Sequence, residues 1–406
     1  MKDKIFSDPK GTSSLLAALA GSLITVSSIT ITLLLIVVQQ SASAMTTRVF
    51  DQFLRNKINQ IYFGFFVGLT LYCLFILATV ASPFNPVLGG SVAFLLTIVA
   101  LYFLLLLIYT TVNEMRPPVI IEAIFQNILK AQKSERELLM KTKRAASFEG
   151  KISHYVKTET YGYLVGINAT MIHNAIKSMK RKAEVIFTIS IGDYLTVHDI
   201  FAEVKSESNE DNDKICDAVV KATDIQKQRK TWNDPGDAIE QLEMIAWTSV
   251  STAKSNPYPG ILIVRTIRNL LSVWDDEKKE QKEKPYPIVY NSQAKEKLFI
   301  SLETLAVASS ESLQHMVFAE ILLNFSFLFN RLNSRDKKRV EDIILRIISC
   351  MGDHVFTSPL EKALNKLIHV LKRNNCFETA DHLVKAKEQL QQSVGKLNSR
   401  DSRVGK

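Results

Sequence analysis

Gly11–Val38 reads GTSSLLAALAGSLITVSSITITLLLIVV and contains no acidic or basic side chain. Ile61–Ala81 (IYFGFFVGLTLYCLFILATVA) and Leu88–Val112 (LGGSVAFLLTIVALYFLLLLIYTTV) share that property. A helix must offer about 20 predominantly apolar residues to cross the hydrocarbon core of a bilayer. The three runs therefore predict transmembrane helices at about residues 12–39, 61–82 and 88–112, within a membrane domain of residues 1–112. Beyond Asn113 the chain is polar and charged. The expected fold is a mostly α membrane protein with N-terminal transmembrane helices, a small β-rich module and a C-terminal α-helical cytoplasmic domain.

The 406 residues carry a net charge of +9 and a mean hydropathy of +0.06. That average blends an apolar head with a polar body. The polar part is long enough for one or two soluble domains of about 100–200 residues each. Cys73, Cys216, Cys350 and Cys376 show no CxxC or other metal-ligand spacing. Isolated thiols of this kind read as reduced packing residues and suit a cytosolic body. The first run lacks a small-residue cleavage site followed by a polar start, so no signal peptide is expected.

Orientation follows from the links between the runs. The first link carries Arg48, Arg55 and Lys57 against Asp51, whereas Ser82–Val87 is uncharged and holds Pro83 and Pro86. The positive-inside bias places the first link in the cytoplasm and the proline turn outside. The third helix then runs inward, and the large C-terminal body is cytoplasmic. The N-terminus falls outside, an assignment that Lys2, Lys4 and Lys10 oppose and Asp3 and Asp8 partly restore. The alternative is the fully inverted topology.

Within the first run, Ser14, Ala18, Gly21, Thr25, Ser28 and Thr32 recur at steps of three and four, forming one small, hydroxyl-rich stripe. Gln39 and Gln40 extend the polarity at one end. Such a stripe serves close helix packing or lines a hydrated path. Packing is preferred, because no ionisable residue accompanies it and intramembrane charges usually mark ion routes. Gly64-Phe-Phe-Val-Gly68 adds a GxxxG spacing in the second run. The two features predict helices that pack tightly with each other or with a second subunit.

Residues 113–147 read as a juxtamembrane helix with Ile120, Ile124, Ile128, Leu138 and Leu139 at helical spacing. Its basic residues Lys130, Lys133, Arg136, Lys141, Lys143 and Arg144 suit contact with anionic lipid headgroups, while Glu135 and Glu137 allow a solvated face instead. Residues 148–205 change character. Tyr161–Val165 and Glu184–Ile189 read as strands. Gly192-Asp193 is a tight turn before Tyr194–Val197, and Ile200–Val204 can pair next. Asn168 caps a helix through Lys180, with Met171, Ala175 and Met179 expected inward. The pattern is similar to barrel-sandwich modules of the lipoyl and biotinyl type. Ser178-Met179-Lys180 lies on the predicted helix, however, so a lipoyl or biotin site is rejected. Residues 206–394 read as an α-helical domain, with Ser206–Asp213 and Asp275–Lys284 as loops, Lys214–Gln228 as its first helix and 395–406 as a disordered tail.

Gly21-Ser-Leu-Ile-Thr-Val, Ile29-Thr-Ile-Thr-Leu, Gln39-Gln-Ser-Ala-Ser, Phe53-Leu-Arg-Asn-Lys and the segment from Gly64 to Cys73 resemble domain-of-unknown-function family 2254. The similarity continues through Tyr161-Gly162-Tyr163, Gly192-Asp193 and Asn233-Asp234-Pro235-Gly236, to about Trp274. The resemblance implies a prokaryotic integral membrane protein without an assigned activity. Family members usually carry four transmembrane helices, so a leading helix is expected to be missing here. Ser255-Asn256-Pro257 stands where the family has Asn-Asp-Pro, and no role of that aspartate carries over.

No catalytic constellation emerges. The seven histidines form no HxxxH or HExxH pair, and GxxxxGK[ST], GxGxxG after a strand and GxSxG are absent. Asp234, Asp237, Glu240 and Glu243 cluster at a helix start, where acidic side chains complement the helix dipole; a divalent-cation site is the lesser alternative. No cofactor, metal or nucleic-acid partner is expected. The expected function is a non-enzymatic docking or sensing protein of a prokaryotic plasma membrane. The alternative is a subunit of an oligomeric channel or transporter, with Gly21, Thr25, Ser28 and Thr32 facing the pathway and Gly64 and Gly68 at helix contacts.

Overall fold

A computed structural model describes residues 8–44, 57–81, 84–149, 152–179, 182–207, 212–229, 233–251, 256–276, 284–351 and 355–393. The link holding Arg48, Asp51 and Arg55, the Pro83 position, Lys180, much of the 275–284 loop and the 395–406 tail lie outside the described residues. Two compact units result, Met1–Ile120 and Ile121–Lys406.

The first unit packs three helices against one another: α1 (Pro9–Ala44), α2 (Lys57–Thr79) and α3 (Val87–Glu114). All three are long and apolar enough to cross a membrane. Several of their threonine hydroxyls bond within their own helices, as a hydrocarbon surrounding favours. Thr25 donates to the Gly21 carbonyl at 2.9 Å, Thr32 to Ser28 at 2.9 Å and Thr70 to Phe66 at 2.9 Å. The inner seam is made by Leu16, Ala20, Leu23 and Leu34 of α1, Phe66, Leu69 and Cys73 of α2, and Ala93, Ala100 and Leu107 of α3. α2 and α3 approach closely at Gly89, where a Cβ would lie 2.9 Å from Ile76 Cδ1. Tyr72 donates its hydroxyl to the Gly89 carbonyl at 3.4 Å.

The helix α4 (Pro117–Lys141) leads into the second unit, where Ile124, Ile128 and Leu138 are buried. A four-stranded sheet follows in the order β1 (Ile152–Lys157), β5 (Ile200–Ser206), β3 (Ala183–Phe187), β7 (Ile288–Val289). A three-stranded sheet runs β4 (Tyr194–Leu195), β2 (Gly162–Ile167), β6 (Thr223–Gln226). Val185 opposes Val204 across β3 and β5, and Val156 opposes Ala202 across β1 and β5. Helices α5 (Ala169–Ser178) and α6 (Asn212–Ala222) share the core with Phe187, Phe201 and Tyr290.

Asn168 caps α5, its side-chain oxygen accepting from the Met171 N–H at 3.1 Å. The inward face is Ala169, Ile172 and Ile176, whereas Met171 is exposed. Of the expected face, Met179 packs against the core and Ala175 is half-buried, while Met171 turns outward because Ile172 and Ile176 fill the sheet's core. Three strands differ from the sequence expectation. β1 lies where no strand is expected, β6 occupies the end of an expected helix, and β7 is a two-residue rung from far along the chain. β6 forms because Thr223 and Ile225 pair with Ile167 and Leu164 of β2, a partner that local propensity does not contain.

The remainder is helical: α7 (Pro235–Ser251), α8 (Pro257–Asp276), α9 (Ala294–Glu311), α10 (His315–Leu328), α11 (Ser334–Ile348), α12 (Ser358–Arg373) and α13 (Phe377–Ser393). Caps set two starts: Asn333 accepts from the Asp336 N–H at 3.0 Å, and Thr357 from the Leu360 N–H at 3.4 Å. α10 supplies the centre with Val317, Phe318, Ile321, Leu322 and Phe325, all fully buried. α11 and α12 are amphipathic and turn Ile343, Ile344, Leu364 and Leu367 inward.

Candidate functional site

Asp234 precedes Pro235 at the start of α7, and its carboxylate accepts the Asp237 N–H at 3.0 Å. Proline in a first helical turn sacrifices no hydrogen bond. Asp234 and Asp237 are both buried, at about 1% exposure each. Two buried carboxylates need a cation, and Arg229 provides it. Its Nε lies 2.7 Å from Asp234 and 3.4 Å from Asp237, while Nη1 lies 2.5 Å from Glu240. Lys297 of α9 completes the cluster, with Nζ 2.8 Å from the other Glu240 oxygen. Burial opposes the Glu240 charge, but hydrogen bonds from Lys297 and Arg229 hold its carboxyl below the usual range. Those same carboxylates outweigh burial at Arg229 and raise its pKa. Glu243 lies one turn on, accepting the Ser301 hydroxyl at 2.7 Å.

The turn at Gly192-Asp193 meets this cluster. Gly192 is left-handed (φ +95°), and a Cβ there would fall 2.6 Å from both Asp234 carboxylate oxygens. Asp193 closes the turn by accepting the Ser190 N–H at 2.8 Å. The turn is tied to β2 on both sides: Gly192 donates to the Leu164 carbonyl at 2.8 Å, and Leu164 donates to that of Asp193 at 2.9 Å. Arg229 also stacks over Tyr163, 5.6 Å from the ring centroid. Asn233 donates to the Val165 carbonyl at 2.5 Å. The Tyr-Gly-Tyr, Gly-Asp and Asn-Asp-Pro-Gly segments, separate in sequence, thus converge on one guanidinium.

Tyr290, following β7, extends the network to α4. Its hydroxyl accepts the Ile191 N–H at 3.1 Å and donates to buried Glu135 at 2.7 Å. Ser292 donates to the second Glu135 oxygen at 2.8 Å. Burial pushes the Glu135 pKa up, and the two hydroxyl donors offset only part of that shift. A second tie links the end of α4 to β3. Lys143 lies 2.6 Å from Glu184, whose carboxylate also accepts the Ser147 and Phe148 N–H groups. Burial opposes the Glu184 charge, yet Lys143 and these amides keep its pKa low.

Residues 1–314 match the family model described as "Predicted membrane protein (DUF2254)". The chain belongs to this family. No curated protein and no solved structure matches it. The DUF2254 match runs past Trp274 and takes in every member of this linked set of ion pairs and hydrogen bonds, a clasp running from Glu135 through Arg229 to Tyr290 and Lys297. Helices α10 to α13 fall beyond the matched residues.

Gly21, Thr25, Ser28 and Thr32 lie on one exposed face of α1, opposite its inner seam. Gly64 and Gly68 are exposed on α2, and a Cβ on Gly21, Gly64 or Gly68 would meet nothing within 4 Å. Among the described residues, the three glycines make no close helix contact within the unit, whereas Gly89 does. Of the basic residues around α4, Lys130, Lys133, Lys141 and Arg144 are exposed, Arg136 is half-buried, and Lys143 is committed to Glu184. Among the described residues, no group of three His, Cys, Asp or Glu side chains is placed to hold a metal. Arg229, Lys297 and Tyr290 carry no local signal, since each meets its partner through tertiary contacts, and Glu135, expected on a solvated face, is instead buried against Tyr290 and Ser292. The only local signal was the acidic cluster, which implies a nearby cation once buried.

Proposed function

We propose that this DUF2254 protein is a multi-pass protein of a prokaryotic plasma membrane whose second unit is a cytoplasmic docking or sensing body without enzymatic activity. The observation carrying this reading is the clasp. Its carboxylates are committed to Arg229 and Lys297, and Glu135 to two hydroxyls, an arrangement suited to rigid joining rather than proton transfer. α4 begins three residues after α3 ends and carries Glu135 into that clasp. A signal at the turn would therefore reach α4 through Tyr290 and Glu135. The charge bias of the links supports the cytoplasmic orientation. The two small sheets support the barrel-sandwich reading, and the exposed Lys130, Lys133 and Lys141 support contact with anionic lipid.

The second reading is an oligomeric channel or transporter subunit. Its support is the outward hydroxyl face of α1, available to a neighbouring copy. Three helices are too few to enclose a pore, so several chains would be needed. Liposomes containing the purified protein decide between the two. Docking predicts no ion flux above that of empty liposomes; flux abolished by Thr25→Leu and Ser28→Leu would establish the channel. Protease added to intact cells is expected to spare the second unit, and its digestion would reverse the orientation.

A further inference from the structure

A cavity of about 410 Å³ lies in the second unit, sharing Ser292 of its lining with the clasp. Leu139, Trp274 and Phe299 give it an apolar side; Arg144, Lys295 and Arg335 give it a cationic one. Two carboxylates, Glu296 and Asp336, also line it. Both are already neutralised: Asp336 lies 2.5 Å from Lys295, and Glu296 lies 2.8 Å from Arg339. Among the described residues, Arg144 and Arg335 have no ion-pair partner. The local balance thus leaves two guanidinium groups beside a half-buried indole.

The positions of these groups are set by the fold. Arg144 follows Lys143, whose N–H donates to the Ile288 carbonyl at 2.7 Å and whose carbonyl accepts the Tyr290 N–H at 3.1 Å. Arg335 sits in the first turn of α11 behind the Asn333 cap, and Trp274 in the last turn of α8. The first turns of α9 and α11 both border the cavity, and the amides of a helix start favour anions. Arginine forks match phosphate oxygens, and an indole offers a stacking surface to a flat ring.

The geometry points to a binding site for an organic phosphate monoester bearing an aromatic group, with phosphate between Arg144 and Arg335 and its ring against Trp274. A nucleoside monophosphate has this chemistry, and the site neither uses nor requires the docking reading. A phosphorylated lipid headgroup shares the phosphate but not the ring.

Calorimetric titration of the full-length protein in detergent tests it, with adenosine 5′-monophosphate, inorganic phosphate and short-chain phosphatidic acid as probes. The nucleotide is expected to bind one per chain. Arg144→Gln and Arg335→Gln are each expected to weaken it about tenfold, the loss of one charge-assisted hydrogen bond. Trp274→Ala is expected to weaken the nucleotide about tenfold through lost stacking while leaving inorganic phosphate unchanged. Trp274→Phe, which keeps a ring, restores most of the affinity and separates stacking from misfolding. Absence of nucleotide heat into the millimolar range, or binding indifferent to both arginines, overturns the site. Phosphatidic acid binding more tightly than the nucleotide, with the same arginine dependence, overturns the aromatic ligand in favour of a lipid.

Discussion

Replacing Arg229 with methionine preserves much of the side chain's length and removes its charge. Asp234 and Asp237 then remain buried, at about 1% exposure each, without the cation that faces them. Removing one partner from a buried ion pair costs about 3–5 kcal/mol. The lower end applies here. Asp234 keeps the Asp237 N–H and Asp237 keeps the Gln241 amide. Glu240 is 42% exposed and retains Lys297, so it adds little. A loss of about 3 kcal/mol in a unit of this size lowers the melting temperature by roughly 6–10 °C. Thermal unfolding of the full chain in detergent, followed by intrinsic fluorescence, measures it. The double variant Arg229→Met, Asp234→Asn is expected to regain part of the loss, since a neutral amide tolerates burial better than an unpaired carboxylate. A single-variant shift below about 2 °C, under 1 kcal/mol, would refute the claim that Arg229 neutralises this cluster.

Two further outcomes follow from the same network. Gly192→Ala forces a side chain into left-handed backbone and against the Asp234 carboxylate, for a loss of about 2–4 kcal/mol. Gly166→Ala, whose nearest neighbour would be 3.9 Å away, is expected to stay within about 0.5 kcal/mol, and equal melting temperatures would sink the contrast. Glu135 has its folded-state pKa raised by burial, above an unfolded value of about 4.3. Its contribution is therefore fully present below that unfolded value and is lost as pH rises through the folded one. Glu135→Gln can still accept from Tyr290 and should lose this decline. Superimposable wild-type and variant melting curves across about pH 4.5–8 would rule out the assignment.

The three spans were legible because their constraint is local. A hydrocarbon core demands an unbroken apolar run, and Gly11–Val38, Ile61–Ala81 and Leu88–Val112 carry theirs in consecutive residues. The Asn168 cap and the Gly192 turn were legible for the same reason, since each is decided by residues a few positions apart. The strands β6 and β7 were not. Thr223–Gln226 becomes a strand through β2, and Ile288-Val289 through β3 about a hundred residues earlier. Helical spacing identified the hydroxyl stripe of α1, but not the direction it faces; that depends on where α2 and α3 settle, and they take the opposite side. The acidic cluster at α7 was visible without its partner. Arg229 reaches it through the turn from β6, and Lys297 reaches it only because α9 packs against α7. Patterns of solubility and capping are written along the chain, where neighbours in sequence are neighbours in space. Charge compensation is written across it, and packing alone decides which cation meets which carboxylate.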